Sequence, residues 1–561
     1  MDPIVLNVLW NRLISTVNEQ AAALMRSSFS SIVREAGDLA AGVFDRRGRM
    51  VAQATTGTPG HINPMATCMH HFLARFPIDE LRPGDVLITN DPWKTASQLN
   101  DITIATPVFR QGRPIALFAN CCHALDMGGR GLSADSLSVF EEGIFIPVMK
   151  LYDEGSVVAP LMEMIEANVR TPDEVVGDIH SQVIANAVGG RQLSAFLDEF
   201  ELDDIEALSD EIIDRSERAM RERIKALPDG MYPSEMTIDG YDEPIVIRTE
   251  VIVEGDRLTV DFAGTSPTVG RGINVALNYT RGYTTYGIKC AISPDVPNNA
   301  GSFRPVHVTA PEGSILNAKY PVAVAGRHLV GHFLPSAVMG ALAGALPDKV
   351  IAPGADALWD THIAGEGPDG RYFSFTWFSC GGTGALARKD GLNATAFPSG
   401  IAGVPVEVIE TLSPVVVRRR ALRPDSGGAG TFRGGLGQIM EFGVRTEKPY
   451  QFAGLYERID FPPPPLAGGE PGEAGRLHTN NQAPLRAKET TMLPPDTVVT
   501  IEIPGGGGYG SSLKRAPEAV LADVRDGYVT VEAARERYGV VIDRASWAVD
   551  DAATRARRTR P

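Results

Sequence analysis

Two runs, NDPWKTASQLNDITIATPVF (90–109) and LFANCCHALDMGG (117–129), set acids, amides and one histidine at the ends of apolar segments. Between them, ITIATPVF and PIALFAN flank Arg110-Gln111-Gly112-Arg113, a short glycine-containing turn, which predicts an antiparallel pair of strands. If Arg110 and Arg113 close that turn, position 101 falls opposite 122 and position 100 opposite 123. Within one residue of register, Asp101 and His123 then share the open end of the hairpin, with Gln98 and Asp126 flanking it. Side chains paired across strands lie about 5 Å apart at Cβ, close enough to share a cation or a hydrogen bond. Two chemistries fit: a metal site built from carboxylate oxygen and imidazole nitrogen, or a His–Asp pair that satisfies two polar strand ends. Geometry alone leaves both open. Three residues before Asp101, where a second imidazole would suit a metal, the sequence has Gln98.

The elements around this hairpin are legible from periodicity. Leu6, Leu9, Leu13, Val17, Leu24 and Met25 recur at helical spacing and predict an amphipathic helix over 5–29. LAAGVFDRRGRMVAQAT (39–55) predicts a hairpin turning at Arg46-Arg47-Gly48. In NPMATCMHHFLARF, Asn63 is expected to cap a helix with Pro64 at its first position; His70 and His71 on it are adjacent and so face apart. Strands are expected at 85–89, 102–109 and 114–120, and helices at 161–169 and 203–227. From Met231 short β-like runs take over, and after Gly400 the chain is strand-rich and dense in glycine. Helix returns from Pro517. DFPPPPLAGGEPGEAG (460–475) is expected to be an exposed loop. The fold class is α+β, large and multi-lobed with mainly antiparallel sheets, because no sustained β-α-β alternation appears. Three regions are expected: an N-terminal α+β region at 1–230 carrying the site, a strand-rich centre at 231–400, and a glycine-rich β region with a helical tail at 401–561.

Composition narrows the function classes. A net charge of −16 over 561 residues argues against nucleic acid, since phosphate binding requires a basic surface. The basic run Arg555–Arg560 is expected to be a frayed terminus. Five cysteines with no CxxC pair point to a reducing, cytoplasmic setting without a disulfide framework or structural zinc. No secretory signal is visible at the N-terminus, and no apolar stretch approaches the roughly twenty residues needed to cross a bilayer, so no membrane partner is expected. PGGGGYGSSLK (504–514) lacks the Gly-Lys-Ser/Thr of a phosphate loop, and no G-x-S-x-G elbow occurs.

Colinear blocks across the chain resemble the hydantoinase B/oxoprolinase family: DPIVLNVLWNRL, GVFDRRGRMVAQ, RPGDVLITNDPW, LNDITIATPVF, EEGIFIPVMKL, NVRTPDEVVGDI and DFAGTSP, then PNNAG, GGTGALARKDG, LRPDSGGAGTFRGGLG and PGGGGYG. They run from Asp2 to Gly510. The resemblance implies a zinc or manganese ion held by an H-x-x-D motif and a later histidine. Carried over, the aspartate is Asp101, the later histidine is His123, and an earlier aspartate of the amide-hydrolysing members is Asp38. The first histidine of the motif falls on Gln98, and a further family histidine falls on Ala124. A glutamine oxygen binds more weakly than imidazole and favours harder ions such as Mn²⁺ or Mg²⁺. The metal set implied is Asp38, Gln98, Asp101 and His123. His61, in HINPM, is similar to a common family histidine, and Asp126 is the expected base or supporting group.

The same resemblance implies a B-type subunit of an ATP-dependent cyclic-amide hydrolase. A separate hydantoinase A-type ATPase would bind the ATP and phosphorylate the substrate oxygen, in an (AB)₂ assembly. The alternatives it leaves are a subunit of an ATP-dependent ketone carboxylase and a non-catalytic scaffold.

Overall fold

The computed structural model describes residues 2–481 and 485–559. Its first sheet has seven strands in the order β2-β1-β5-β4-β3-β6-β7. These are β1 (Leu39–Phe44), β2 (Met50–Gln53), β3 (Val86–Thr89), β4 (Asp101–Arg110), β5 (Arg113–His123), β6 (Met149–Asp153) and β7 (Ser156–Val157). The expected hairpin is β4–β5, but its register differs by one residue from that of a plain tight turn: Asp101 pairs with His123 and Ile102 with Cys122. The reason is a bulge at Val108/Phe109, placed where Pro114 enters the strand. Proline has no N–H to give the ladder, and an extra residue absorbs the gap.

Helices cover this sheet. Pro3–Ser27 buries Leu6, Leu9, Leu13, Val17 and Leu24, as the spacing predicts, and Asp2 caps it by accepting from the N–H of Ile4. Pro172–Glu199 lies across β4 and β5. Between them runs a buried amide ladder: Gln182 Nε2 donates to the Ile102 carbonyl at 2.9 Å, Asn120 Nδ2 to Asn186 Oδ1 at 2.7 Å, and Gln20 Nε2 to the Ala119 carbonyl at 3.0 Å. Buried polar groups so paired fix one strand position where apolar contacts alone would tolerate several.

The helix expected to be capped by Asn63 begins five residues earlier. It spans Pro59–Arg75 with Thr58 at its cap position, and Pro64 sits inside it. Asn63 Nδ2 instead donates to the Gly282 carbonyl at 3.1 Å, tying this helix to the helix Leu277–Ile292. Gly60 is required at that crossing, since a Cβ there would lie 2.7 Å from the rings of both Tyr279 and Tyr283.

A second sheet holds β8 (Gly230–Ile238), β9 (Ile245–Glu254), β10 (Arg257–Asp261) and β11 (Val306–Thr309), the last parallel to its neighbour. A third pairs β12 (Trp359–Glu366) with β13 (Tyr372–Ser379) on one side and β16 (Tyr450–Leu455) on the other, so it joins chain from both sides of position 400. β18 (Thr490–Leu493) extends that third sheet beyond β16. A fourth is ordered β14-β15-β19-β17, with β15 (Gln438–Val444) pairing to both β14 (Val415–Leu422) and β19 (Val498–Glu502), and β17 (Arg476–Thr479) at its edge.

The glycine-rich runs form buried, closely packed loops. A Cβ at Gly505 would lie 1.9 Å from the Ser426 carbonyl oxygen, and one at Gly506 would lie 1.9 Å from that of Thr383. The loop over 460–475 is largely half-buried rather than exposed, because it packs on this glycine core. The basic tail is also not frayed over its described part. It forms the helix Asp551–Arg558, where Arg558 donates to the carbonyls of Tyr538 and Arg515; Arg560 lies outside the described residues. All five cysteines are free, and among the described residues no helix is long and apolar enough to cross a membrane.

Candidate functional site

Strands β1, β5 and β4 are neighbours and end together, which brings Asp38, just before β1, beside His123 and Asp101. The backbone ties the junction: His123 N–H donates to the Asp38 carbonyl at 3.3 Å, and Ala124 N–H to that of Asn100 at 2.7 Å. The loop before β4 is pinned from several sides. Asn90 Nδ2 donates to the Leu99 and Ile144 carbonyls, and Ser97, at φ 68°, accepts from the Ala276 N–H at 2.8 Å. That loop delivers Gln98 to the strand ends.

Five of the sequence-predicted residues meet: Asp38, His61, Gln98, Asp101 and His123. The Gln98 amide nitrogen lies 2.7 Å from Asp101 Oδ1 and 2.7 Å from His123 Nδ1, and those two atoms are 3.2 Å apart. His123 Nδ1 is 3.9 Å from Asp38 Oδ2. His61, on the helix Pro59–Arg75, stands between the carboxylates, with Nε2 3.2 Å from Asp101 Oδ2 and Nδ1 3.4 Å from Asp38 Oδ1. Thr58, at that helix's cap position, donates to Asp38 Oδ1 at 2.9 Å. Asp38, His61, Gln98, Asp101 and His123 are all buried, at most 5 % exposed.

Asp126 does not join them. Its carboxylate accepts from the Gly128 N–H at 2.9 Å and from Arg170 Nη1 at 2.8 Å, so it braces a turn and has little capacity left for a reacting group. Ala124 is buried in an apolar cluster with Ile102, Ile104 and Met127, so packing fills the space that a family histidine would need.

Sequence reasoning missed Arg327. It is 6 % exposed, its Nη2 donates to Asp101 Oδ2 at 2.6 Å, its Nε to the Ala96 carbonyl at 3.1 Å, and its guanidinium lies 4.7 Å from the Tyr279 ring centre. Arg327 lies 226 residues after Asp101, and no local pattern announces it.

Electrostatics follow from these contacts. Burial alone would push the Asp101 carboxyl up, but Arg327 and His61 hold it well below the usual carboxylate range. Burial also works against charging His61, yet Asp101 and Asp38 overcome it and raise its pKa. A carboxylate held between a guanidinium and an imidazole that favours its protonated form is stabilised in its ionised form.

The donor set can be tested for a metal on its own chemistry. Among the described residues no group of three or more His, Cys, Asp or Glu side chains is arranged to hold an ion, which leaves the Gln98 amide as a candidate further donor beside Asp101 and His123. Gln98 Oε1 is buried without a hydrogen-bond partner, as are both ring nitrogens of His61. Amide orientation follows the hydrogen-bond network, and a half-turn would put Oε1 beside Asp101 Oδ1 and His123 Nδ1. In the His123 tautomer that leaves Nδ1 without a proton, three acceptors would then converge, an arrangement that a cation satisfies. In that orientation the residues fit a hard divalent ion.

The family model for hydantoinase B/oxoprolinase matches residues 2–512. The chain belongs to the hydantoinase B/oxoprolinase family. The beta subunit of caprolactamase from Pseudomonas jessenii is 32 % identical, over 100 % of this chain and 99 % of that one. The crystal structure of ATP-dependent caprolactamase from that organism superimposes with a TM-score of 0.90 at 30 % identity, covering 100 % of both chains. A protein of Pseudomonas sp. (strain NS671), provisionally named as the B-type subunit of a D-/L-hydantoinase, is 31 % identical over 97 % of this chain and 95 % of its own. Acetone carboxylase shares the fold, with a TM-score of 0.89 at 21 % identity over 99 % of this chain and 82 % of that one.

Proposed function

We propose that this hydantoinase B/oxoprolinase family member is the B-type subunit of an ATP-dependent cyclic-amide hydrolase. It would act with a separate A-type ATPase that phosphorylates the substrate oxygen, in an (AB)₂ assembly in the cytoplasm. The observation that carries the reading is the buried cluster of Asp38, His61, Gln98, Asp101, His123 and Arg327. Ionised groups shielded from water and held in fixed geometry are what stabilise charge developing on a reacting amide. Kinship along the full length with the beta chain of caprolactamase supports the amide class.

Asp38, Gln98, Asp101 and His123 would hold a divalent metal, manganese or zinc, which supplies Lewis-acid polarisation and a lowered pKa of bound water. Asp101, fixed by Arg327, orients the Gln98 amide and the His123 ring. His61, whose ring nitrogens lie beside the Asp101 and Asp38 carboxylates that raise its pKa, is the group placed to deliver a proton. Burial keeps bulk water from an activated substrate.

The test is the ATPase activity of the co-expressed complex, measured with 2-pyrrolidone, hydantoin and ε-caprolactam and separately with a ketone plus bicarbonate. Stimulation by a cyclic amide with ring-opened product is expected. Stimulation only by ketone and bicarbonate would make the chain part of a carboxylase, and full activity in Asp101→Asn would make it a scaffold.

A further inference from the structure

Beyond the cluster, several buried side chains carry atoms without a hydrogen-bond partner, and two of them, His328 and Asp360, face each other. His328, on the helical turn His328–Gly331, directly follows Arg327; Asp360 lies on β12. They are 3 % and 5 % exposed. His328 Nε2 comes within 3.3 Å of Asp360 Oδ2 without forming an aligned hydrogen bond, and both Nε2 and Asp360 Oδ1 have no partner. His332, one turn along, is satisfied on both nitrogens by the Tyr283 hydroxyl at 3.0 Å and the Leu358 N–H at 3.4 Å. The contrast marks His328 and Asp360 as the members of this group with capacity left over. Leaving a buried polar atom unpaired costs about 1–3 kcal/mol, and such atoms in a native fold call for a ligand or water.

Their place in the fold ties them to the cluster. Asp360 pairs with Phe378 on one side and Leu455 on the other, so its strand is central and cannot shift. Phe378 packs edge-on against His123, with ring centres 6.4 Å apart. Burial raises the Asp360 carboxyl well above its ordinary range, and the charge of Asp38 adds to this. Burial and the neighbouring His332 and Arg327 push His328 well down. Burial thus disfavours charge on both members, and a site that disfavours charge suits a neutral ligand better than a carboxylate or a phosphate.

We propose that Asp360 meets the ring nitrogen of the cyclic amide, with Oδ1 accepting its N–H, and that His328 positions Asp360 for this contact. The proposal rests on the functional reading above and adds the subsite that recognises an unsubstituted ring nitrogen. A cyclic amide presents its N–H on the same edge as its carbonyl oxygen. One edge of the ring can thus face Asp360 while the oxygen side faces the Asp101 cluster.

The experiment compares 2-pyrrolidone, hydantoin and ε-caprolactam with their N-methylated counterparts, assayed as ADP release by the complex of this chain with its ATPase partner. Methylation removes the N–H, so the wild type should lose about tenfold or more in kcat/KM, the size of one buried hydrogen bond. In Asp360→Leu, which replaces an unsatisfied carboxyl by an apolar side chain of similar size, the ratio should fall to within about threefold, mainly through a higher KM for the parent amide. Metal content should stay at the wild-type value. Undiminished discrimination in Asp360→Leu overturns the proposal while leaving the functional reading intact. A wild-type complex inactive on all three parent amides overturns that reading instead. Should Asp360→Leu fail to fold, Asp360→Asn decides: it keeps the acceptor oxygen, so retained discrimination supports the contact and lost discrimination refutes it.

Discussion

Gln98 is the residue on which the chemistry turns. Its nitrogen now bridges Asp101 and His123 at 2.7 Å each, and its oxygen is unpartnered. Gln98→His would replace that amide by a stronger donor, so zinc affinity should rise by one to two orders of magnitude, about 1.4–2.8 kcal/mol. Mass-spectrometric metal content after dialysis against a weak chelator measures this. Asp101→Ala should abolish retention, and it also strips Arg327 of its buried partner, a loss of about 3–5 kcal/mol in stability. Asp101→Asn should lose the metal at a smaller cost in folding, and the two variants together separate ligation from packing. Glu142 offers a pH test at the same scale. It is 3 % exposed, Oε1 accepts from the N–H groups of Val324 and Ala325, and burial pushes its pKa up to about 8. An acid raised in the native state favours folding fully below its unfolded pKa near 4.5, and that contribution is lost as pH rises towards 8. Glu142→Gln keeps an acceptor without the charge. It should therefore raise the melting temperature at pH 8 by several degrees more than at pH 5, as followed by calorimetry.

At the scale of elements, the hairpin that carries Asp101 and His123 was legible because alternation and a glycine turn are local signals. Its register was off by one because Pro114 induces a bulge that periodicity does not report. The His61 helix shows the opposite failure. Asn63 and Pro64 looked like a start, yet Thr58 holds the cap position and Asn63 is recruited by Gly282. Asp38 and His61 were found only through family resemblance, and Arg327, His328 and Asp360 not at all. The pairing of residues 101 and 327, or 328 and 360, is made by sheets and helices meeting in three dimensions, and no spacing encodes it. The crossing of the helices Pro59–Arg75 and Leu277–Ile292 is itself testable. Gly60→Ala puts a Cβ 2.7 Å from Tyr279 and Tyr283; relief requires the helix to move, and His61 moves with it. Overpacking of this kind costs about 1–3 kcal/mol. The melting temperature should fall, and turnover by the complex should drop by more than the folded fraction does.

At the scale of the molecule, the chain supplies a buried, charged cluster, and its sequence has no Gly-Lys-Ser/Thr phosphate loop. PGGGGYG, the one glycine-rich run that resembles such a loop, is packed against carbonyls of neighbouring loops, with no room for a ligand at Gly505 or Gly506. The purified chain alone should therefore show no micromolar ATP affinity by calorimetry. ATP turnover should appear only with the ATPase partner. The most direct measurement is ring-opened product formed from ε-caprolactam, hydantoin or 2-pyrrolidone by the complex in the presence of ATP, with wild type and Asp101→Asn compared side by side. The account predicts product with the wild type and a loss of at least about a hundredfold, some 2.7 kcal/mol of transition-state stabilisation, in the variant. Equal product from both proteins, or product from a ketone and bicarbonate but from no cyclic amide, would contradict it.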